Sequence, residues 1–202
     1  MGIAVSNWQL ANAVSSRGQL GVVSGTAIDT VFVRRLQDGD IGGHMRRAME
    51  RFPIAGVAEA VLERYFRPEG KPASEPYKLL PVYKQTVSAM RAQITMMANF
   101  VEVWLAKEGH GNPVGLNLLT KIQMPNIASL YGAMLAGVDC VIMGAGIPRE
   151  IPGVLDAGVE ARLAAISELD DDRQLDILAT AADRLVVEDD VNRVGVLGFC
   201  MG

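Results

Sequence analysis

The chain has 202 residues, of which half are apolar and 5% are aromatic, and its formal net charge is −4. This acidic balance argues against binding to a phosphate backbone, so we expect no nucleic-acid partner. Cys140 and Cys200 suit neither a disulfide framework nor a metal-ligand spacing, and no signal peptide is visible at the N-terminus. We therefore expect a cytoplasmic protein without a metal site.

The first elements are predicted to be a helix over 7–17, a buried parallel strand over 20–25 and a helix over 29–39. The strand prediction rests on the run LGVVSG, whose side chains are nearly all apolar, as in strands that are covered on both faces. Thr26 and Asp29 are placed to cap the N-terminus of the second helix.

Two shorter helices are predicted next, over 45–52 and 57–66. Residues 67–82 then contain four prolines, which indicates a surface excursion rather than a flexible linker. A long helix is predicted over 86–108, with a row of Met, Ile, Val and Leu side chains along one face. We interpret this row as core packing, because methionine fills irregular gaps well.

The pattern then alternates between a strand over 113–119, a helix over 125–136 and a strand over 138–146. Residues 127–147 form the most apolar stretch, but Asp139 near its middle would cost about 2.5–3.5 kcal/mol inside a bilayer, so we expect no membrane association. Repeated strand–helix units predict an α/β fold with a parallel sheet.

In parallel α/β folds, ligands bind beyond the carboxyl ends of the strands, where helix N-termini present free amides. Three of these ends carry glycine or small residues, in VVSGTA, GLNLLTK and IMGAGIP. Ser24, Thr26, Asn117 and Thr120 add hydroxyl and amide groups that suit a phosphate or a heterocycle. No dinucleotide or P-loop fingerprint is present. The pattern therefore predicts a small-molecule site at this edge of the sheet.

A specific resemblance covers residues 1–156 almost without a gap. It is carried by MGIAVSNW, GQLGVVSGTAIDTVFVRRLQDGD, PVGLNLLTKIQMP and LYGAMLAGVDCVIMGAGIPREIPGVLD. These stretches resemble the flavin-dependent nitronate monooxygenases, formerly called 2-nitropropane dioxygenases. The resemblance implies an FMN-binding (β/α)8 TIM barrel. We expect about four of its βα units here, incomplete at both ends, with a helical and proline-rich excursion at 38–110.

The resemblance also implies the residues that bind FMN. These residues match the family's flavin-contacting turns and strand ends. In chain order they are Gly2, Ser24, Gly25, Thr26, Asn117, Gly144 and Gly146. The implied activity is the oxidation of nitronates or similar small carbon acids with oxygen. In the related flavin enoyl reductases of fatty-acid and polyketide synthesis, a nicotinamide cofactor supplies the electrons, and this alternative stays open.

No catalytic residue is assigned. The family's catalytic histidine lies in a G-G-H motif after the fifth strand, and we expect the chain to be a fragment that lacks it. Gly42-Gly43-His44 has the same letters, but it follows the second strand of the family, so we expect His44 to begin a helix at the surface. His110 lies before a strand, at the stability face of a barrel. Because half a barrel leaves strand edges unpaired, we expect a homo-oligomer or a partner that supplies the missing half.

Residues 157–202 have a different character, with an acidic helical segment followed by RVGVLGFCMG. The motif GFCMG resembles the nucleophile elbow of the dienelactone hydrolases and implies, as a second alternative, a hydrolase fragment with Cys200 as its nucleophile. A thiol without a base is mostly protonated at neutral pH, with a pKa of about 8.5. Cys140 is predicted to be a small buried residue within a strand.

Overall fold

The computed structural model describes residues 2–84, 87–146 and 195–198. The first elements agree with the predicted order of helix, strand and helix. They are α1 (Trp8–Ser15), β1 (Gly21–Ser24) and α2 (Ile28–Gln37). Helix α1 is capped by Asn7, whose side chain accepts a hydrogen bond from the backbone N–H of Leu10 at 3.0 Å.

Three further helices precede the second strand. They are α3 (His44–Met49), α4 (Val57–Tyr65) and α5 (Ala89–Lys107). The proline-rich segment between α4 and α5 has neither helix nor strand at its described positions. This segment lies along α2, because Gln37 exchanges two hydrogen bonds with the backbone of Lys78, at 2.7 and 3.1 Å. The proline-rich segment is thus attached to α2.

The second half of the described chain is β2 (Val114–Leu119), α6 (Asn126–Leu135), β3 (Cys140–Gly144) and the short strand β4 (Gly195–Gly198). All neighbouring strands run parallel, in the order β1-β2-β3-β4. The predicted α/β class and parallel sheet are confirmed. Among the described strands the sheet is open, so its closure into a TIM barrel stays a prediction.

Helices cover one face of the sheet. The side chains on this face are fully buried and belong to the main core. They are Val23, Val114, Leu116, Leu118, Val141 and Met143. Helix α5 packs against β1 and β2 and also against α1, α2 and α6, so it lies at the centre of the helix layer. The predicted methionine row therefore lies in the core, where Met97 is fully buried.

The other face of the sheet carries residues of alternate register. Val22, Gly115 and Cys140 are partners in one row, and Ser24, Asn117 and Ile142 are partners in the next. Val22, Cys140 and Ile142 are only half-buried. We call this surface the open face. Because Cys140 lies on it, its side chain is half-buried and not buried as we predicted.

The caps predicted for α2 are wrong. The residue before its first turn is Ala27, which makes no side-chain cap, and neither Thr26 nor Asp29 fills that role. The hydroxyl oxygen of Thr26 instead accepts a hydrogen bond from the backbone N–H of Leu119 at 2.9 Å. Asp29 forms an ion pair with Arg91 of α5. Thr26 is thus bonded to β2 instead of its own helix, whereas the Asp29 carboxylate accepts a hydrogen bond from the Thr30 N–H at 2.8 Å within the first turn and pairs with Arg91 as well.

Candidate functional site

The carboxyl ends of β1, β2 and β3 meet at one edge of the sheet. Ser24 and Asn117 are partners in register, and the backbone N–H of Gly25 donates to the carbonyl of Asn117 at 2.9 Å. Leu119, two residues beyond Asn117 on β2, is the partner of Gly144 on β3. The edge thus brings together the residues predicted from three separate strand ends.

The N-terminal turn joins the same edge. The Gly2 carbonyl accepts hydrogen bonds from the backbone N–H groups of Val5 and Ser6, at 3.2 and 3.0 Å. Ser6 then pairs with β1, since the Ser24 N–H donates to its carbonyl at 2.9 Å and its hydroxyl donates to the Val22 carbonyl at 2.8 Å. The turn that begins at Gly2 is therefore joined through Ser6 to the end of β1, where Ser24 lies.

The turn after β3 is joined to the end of β2 by Thr120. The Thr120 N–H donates to the Gly144 carbonyl at 2.8 Å, and its hydroxyl donates to the Gly146 carbonyl at 3.4 Å. Gly146 has φ +152°, a backbone conformation that residues other than glycine rarely adopt. Thr120 thus uses its hydroxyl to shape the turn that carries Gly144 and Gly146.

Ser24 and Asn117 place polar groups on the open face. The Asn117 side-chain nitrogen donates to the Ile142 carbonyl at 3.2 Å, which fixes the orientation of the amide. Among the described residues no donor reaches its side-chain oxygen, so this oxygen is left to accept a hydrogen bond from a ligand or water. The Ser24 side chain lies in the same row of the sheet.

Strained backbone marks three of the turns at this edge. Four non-glycine residues in the described ranges have positive φ, and three of them are alanines at φ 59–60°: Ala4, Ala27 and Ala145. Each lies in or directly beside a turn that carries predicted flavin-contacting residues. A left-handed conformation costs an alanine roughly 1–2 kcal/mol. Such residues concentrate at functional sites, where the surrounding structure over-determines them.

Two of the predicted glycines have contrasting surroundings. A Cβ built on Gly25 would lie 2.5 Å from the side-chain oxygen of Asn99 and 2.6 Å from Leu116, so packing requires a glycine there. A Cβ on Gly144 would meet no described atom within 4 Å, and Gly144 has no positive φ. Packing therefore does not explain Gly144, whereas a ligand that lies close to this backbone would.

A row of buried polar side chains on α5 lies next to the β1–α2 turn, on the helix side of the sheet. Arg91, Thr95 and Asn99 follow one another at four-residue spacing on α5, and all three are buried. Our sequence interpretation treated α5 only as core packing and missed this row. The signal was present as polar residues at i, i+4 and i+8 within an otherwise apolar helix, a spacing that puts them on one face.

The predicted site residues contain no group that titrates near neutral pH, so the edge offers hydrogen-bonding groups but no assigned acid or base. Burial raises the pKa of the Cys140 thiol, at the amino end of β3, and the Asp139 carboxylate raises it further. Cys140 is therefore protonated at neutral pH and is a poor nucleophile. Burial also raises the pKa of Tyr131 on α6.

Both histidines lie away from this edge. His44 begins α3, as predicted, and its ring lies 5.0 Å from that of Trp8, tilted by 51°. Together with Arg35 and Asp40 these rings line a cavity of about 230 Å³, which none of the predicted cofactor residues lines. His110 bonds to the Ala106 carbonyl at 2.9 Å at the end of α5, near the amino ends of the strands, where we had placed it.

The second alternative concerns the C-terminal segment. Strand β4 lies parallel to β3, which agrees with the strand predicted before GFCMG. Cys200 itself, and the rest of the segment 157–202 apart from 195–198, lie outside the described residues. Its role as a nucleophile therefore stays a prediction.

Comparisons with known proteins give no family assignment. No protein-family model, no curated protein and no solved structure matches this chain. Within the described ranges, no helix has the length and apolar character needed to cross a membrane. The same ranges contain no cluster of three or more His, Cys, Asp or Glu side chains arranged to hold a metal ion.

Proposed function

We propose that the carboxyl edge of the sheet binds FMN and that the chain belongs to a flavin-dependent oxidoreductase of the nitronate monooxygenase type. The observation that carries the proposal is Gly144, a glycine at the end of β3 that no described atom requires. The residue lies at the edge where the sequence resemblance implies a flavin. Ligands of parallel α/β proteins also bind at this edge.

The left-handed alanines support the same location. Ala4, Ala27 and Ala145 belong to three different turns, yet all three turns meet at one edge of the sheet. Strain in three converging turns is more easily understood if their geometry serves a common ligand. We propose in addition that the sheet is part of a (β/α)8 barrel, since helices cover one face and the open face has the polar row expected of a barrel interior near its ligand.

The residues present fit a planar, polar cofactor. Asn117 offers a fixed side-chain oxygen that accepts a hydrogen bond from a ring N–H, and Ser24 offers a hydroxyl beside it. Gly144 leaves room for an aromatic ring to approach the backbone. When bound, FMN supplies the electron transfer between a nitronate, or a similar carbon acid, and oxygen. The chain's own contribution is to bind and orient the cofactor.

Titration with FMN tests the proposal. We expect the purified protein to quench FMN fluorescence and to show the visible absorbance of an oxidised flavin. Gly144→Ala should weaken FMN binding about tenfold, because the methyl group occupies the space of the ligand, and should leave the melting temperature unchanged. Gly111→Ala is the matched control, since its Cβ also meets no described atom and it precedes β2 at the opposite edge.

The results separate the proposal from its alternatives. If the wild type neither binds FMN nor gains visible absorbance, the proposed function is wrong. Equal FMN affinity in Gly144→Ala and Gly111→Ala would place the flavin elsewhere. If FMN binds, anaerobic addition of a nitronate or of a reduced nicotinamide shows which compound bleaches the flavin, and bleaching by the nicotinamide alone favours the enoyl reductase type.

A further inference from the structure

The β1–α2 turn rests on a buried ion pair. Asp29, in the first turn of α2, lies 2.7 Å from the guanidinium of Arg91 on α5, and the two side chains are only 4% and 9% exposed. Removing two charges from water is expensive, and an ion pair at such depth often contributes little net stability. Such pairs are retained in some proteins because they fix one specific arrangement.

Thr95 joins this ion pair to the helix beneath it. Its hydroxyl oxygen lies 2.8 Å from the carboxylate of Asp29, 2.7 Å from the guanidinium of Arg91 and 2.7 Å from the hydroxyl of Tyr83. One side-chain oxygen thus contacts all the other polar groups of the cluster. Because Thr95 lies within the 19-residue helix α5, the cluster is attached to the central helix of the layer.

The proline-rich segment completes the cluster from the other side. Arg91 donates from Nε to the Pro81 carbonyl at 2.8 Å, and its guanidinium lies 4.1 Å from the centre of the Tyr83 ring. Burial raises the pKa of Tyr83, so its hydroxyl stays neutral and available for hydrogen bonding. The segment is therefore fastened to the same groups that hold the start of α2.

The cluster lies next to the strained β1–α2 turn. Asp29 is two residues beyond Ala27, whose φ of 59° is strained, and the turn follows Ser24 and contains Thr26, both of them flavin-binding candidates. A strained turn persists only when its surroundings over-determine it. An anchor on the first turn of α2 supplies that constraint from the side opposite to the open face.

We propose that Asp29, Arg91 and Thr95 are positioning residues that hold the β1–α2 turn in the geometry that binds the flavin. This inference rests on the proposed function, and it assigns the buried cluster a role in cofactor affinity that goes beyond stability. Tyr83 and Pro81 connect the proline-rich segment to this cluster. In this proposal the five residues act on the cofactor through the turn and need not contact it.

Thr95→Val tests the inference, because valine has nearly the same shape and lacks the hydroxyl that bridges the cluster. We expect faster backbone hydrogen exchange at residues 24–30, about tenfold weaker FMN binding and an altered visible spectrum of the bound flavin. Thr95→Ser restores the hydroxyl and should return all three quantities close to the wild-type values.

Val114→Ala is the control for general destabilisation, since Val114 is fully buried at the amino end of β2. If Thr95→Val leaves exchange and FMN affinity unchanged, or if Val114→Ala weakens FMN binding equally, the positioning role is wrong. A wild type that binds no FMN overturns the proposed function instead. In that case, selective acceleration of exchange at 24–30 in Thr95→Val still shows that the cluster holds the turn.

Discussion

Three alanines have backbone conformations that alanine normally avoids. Ala4, Ala27 and Ala145 all have φ near 60°, and each lies in or directly beside a different turn at the carboxyl edge of the sheet. Asp40, the fourth such residue among those described, has a local reason, because its carboxylate accepts hydrogen bonds from the N–H groups of Met45 and Arg46. For the alanines no comparable side-chain interaction exists, so their strain is held by the surrounding structure.

Replacing Ala27 by glycine should stabilise the protein. Glycine avoids the roughly 1–2 kcal/mol cost of the left-handed conformation, and this gain exceeds the entropy that it adds to the unfolded chain. We expect the free energy of unfolding to rise by about 0.5 kcal/mol, measured by chemical denaturation. Ala27 is exposed, so the loss of its methyl group removes little packing.

Ala13→Gly provides the matched comparison for Ala27→Gly. Ala13 is also exposed, but it lies within the right-handed helix α1, where glycine costs about 1 kcal/mol relative to alanine. The two substitutions should therefore change stability in opposite directions. A loss of similar size in both variants would contradict the left-handed conformation of Ala27.

Among the elements, α5 and α6 pack closely against each other. A Cβ built on Gly132 of α6 would lie only 2.0 Å from the backbone carbonyl oxygen of Met96 on α5. The two helices can approach each other so closely because position 132 has no side chain. This contact holds the strand–helix unit of β2 and α6 against the central helix.

Gly132→Ala should therefore destabilise the protein, although alanine is the better helix former by about 1 kcal/mol. Overpacking of this kind typically costs about 1–3 kcal/mol, and a clash with backbone is hard to relieve. We expect a lower denaturation midpoint, measured by circular dichroism. Gly111→Ala, at an open position outside the helices, should leave the midpoint unchanged. A stabilised Gly132→Ala would show that the helices are further apart.

At the scale of the whole molecule, Glu102 connects three helices of the layer. It lies on α5, its carboxylate accepts a hydrogen bond from the Trp8 N–H of α1 at 2.8 Å, and it pairs with Arg35 of α2 at 2.9 Å. Its side chain is only 2% exposed. Burial raises the pKa of Glu102 above its ordinary value of 4.5, and the opposing effects of Arg35 and the Trp8 N–H do not compensate fully.

This raised pKa makes the stability of the helix layer depend on pH. The folded protein binds the Glu102 proton more tightly than the unfolded chain, so the contribution of Glu102 is largest at acidic pH and falls as the pH rises through its folded pKa. We expect the free energy of unfolding of the wild type, minus that of Glu102→Gln, to decrease from acidic to neutral pH in denaturant titrations.

Glu108 provides the control for this pH series. It pairs with Arg47 on the surface at 2.8 Å, and both side chains are exposed to a similar degree. Exposed pairs contribute little to stability, so the difference between the wild type and Glu108→Gln should change little with pH. An increase with pH in the Glu102 series would mean that the pairing with Arg35 outweighs burial.

The sequence by itself determined the elements and the edge at which the predicted site residues meet. Apolar runs such as LGVVSG predict strands, and the recurrence of apolar residues every three or four positions in α5 predicts a helix, because this periodicity reflects which face is buried. The alternation of strand and helix then requires a parallel sheet whose carboxyl ends share one edge. Ser24, Asn117 and Gly144 could be placed there without any structure, although the sequence tied them to FMN only through resemblance.

Only the tertiary structure decided which partner each polar side chain has. Thr26 and Asp29 have the local position of helix caps, yet one binds the end of β2 and the other pairs with Arg91, which is 62 residues away in the chain. The open surroundings of Gly144 and the close packing of Gly25 were equally hidden from the sequence. Contacts between distant residues depend on how the layers pack, and no local pattern of residues encodes that distance.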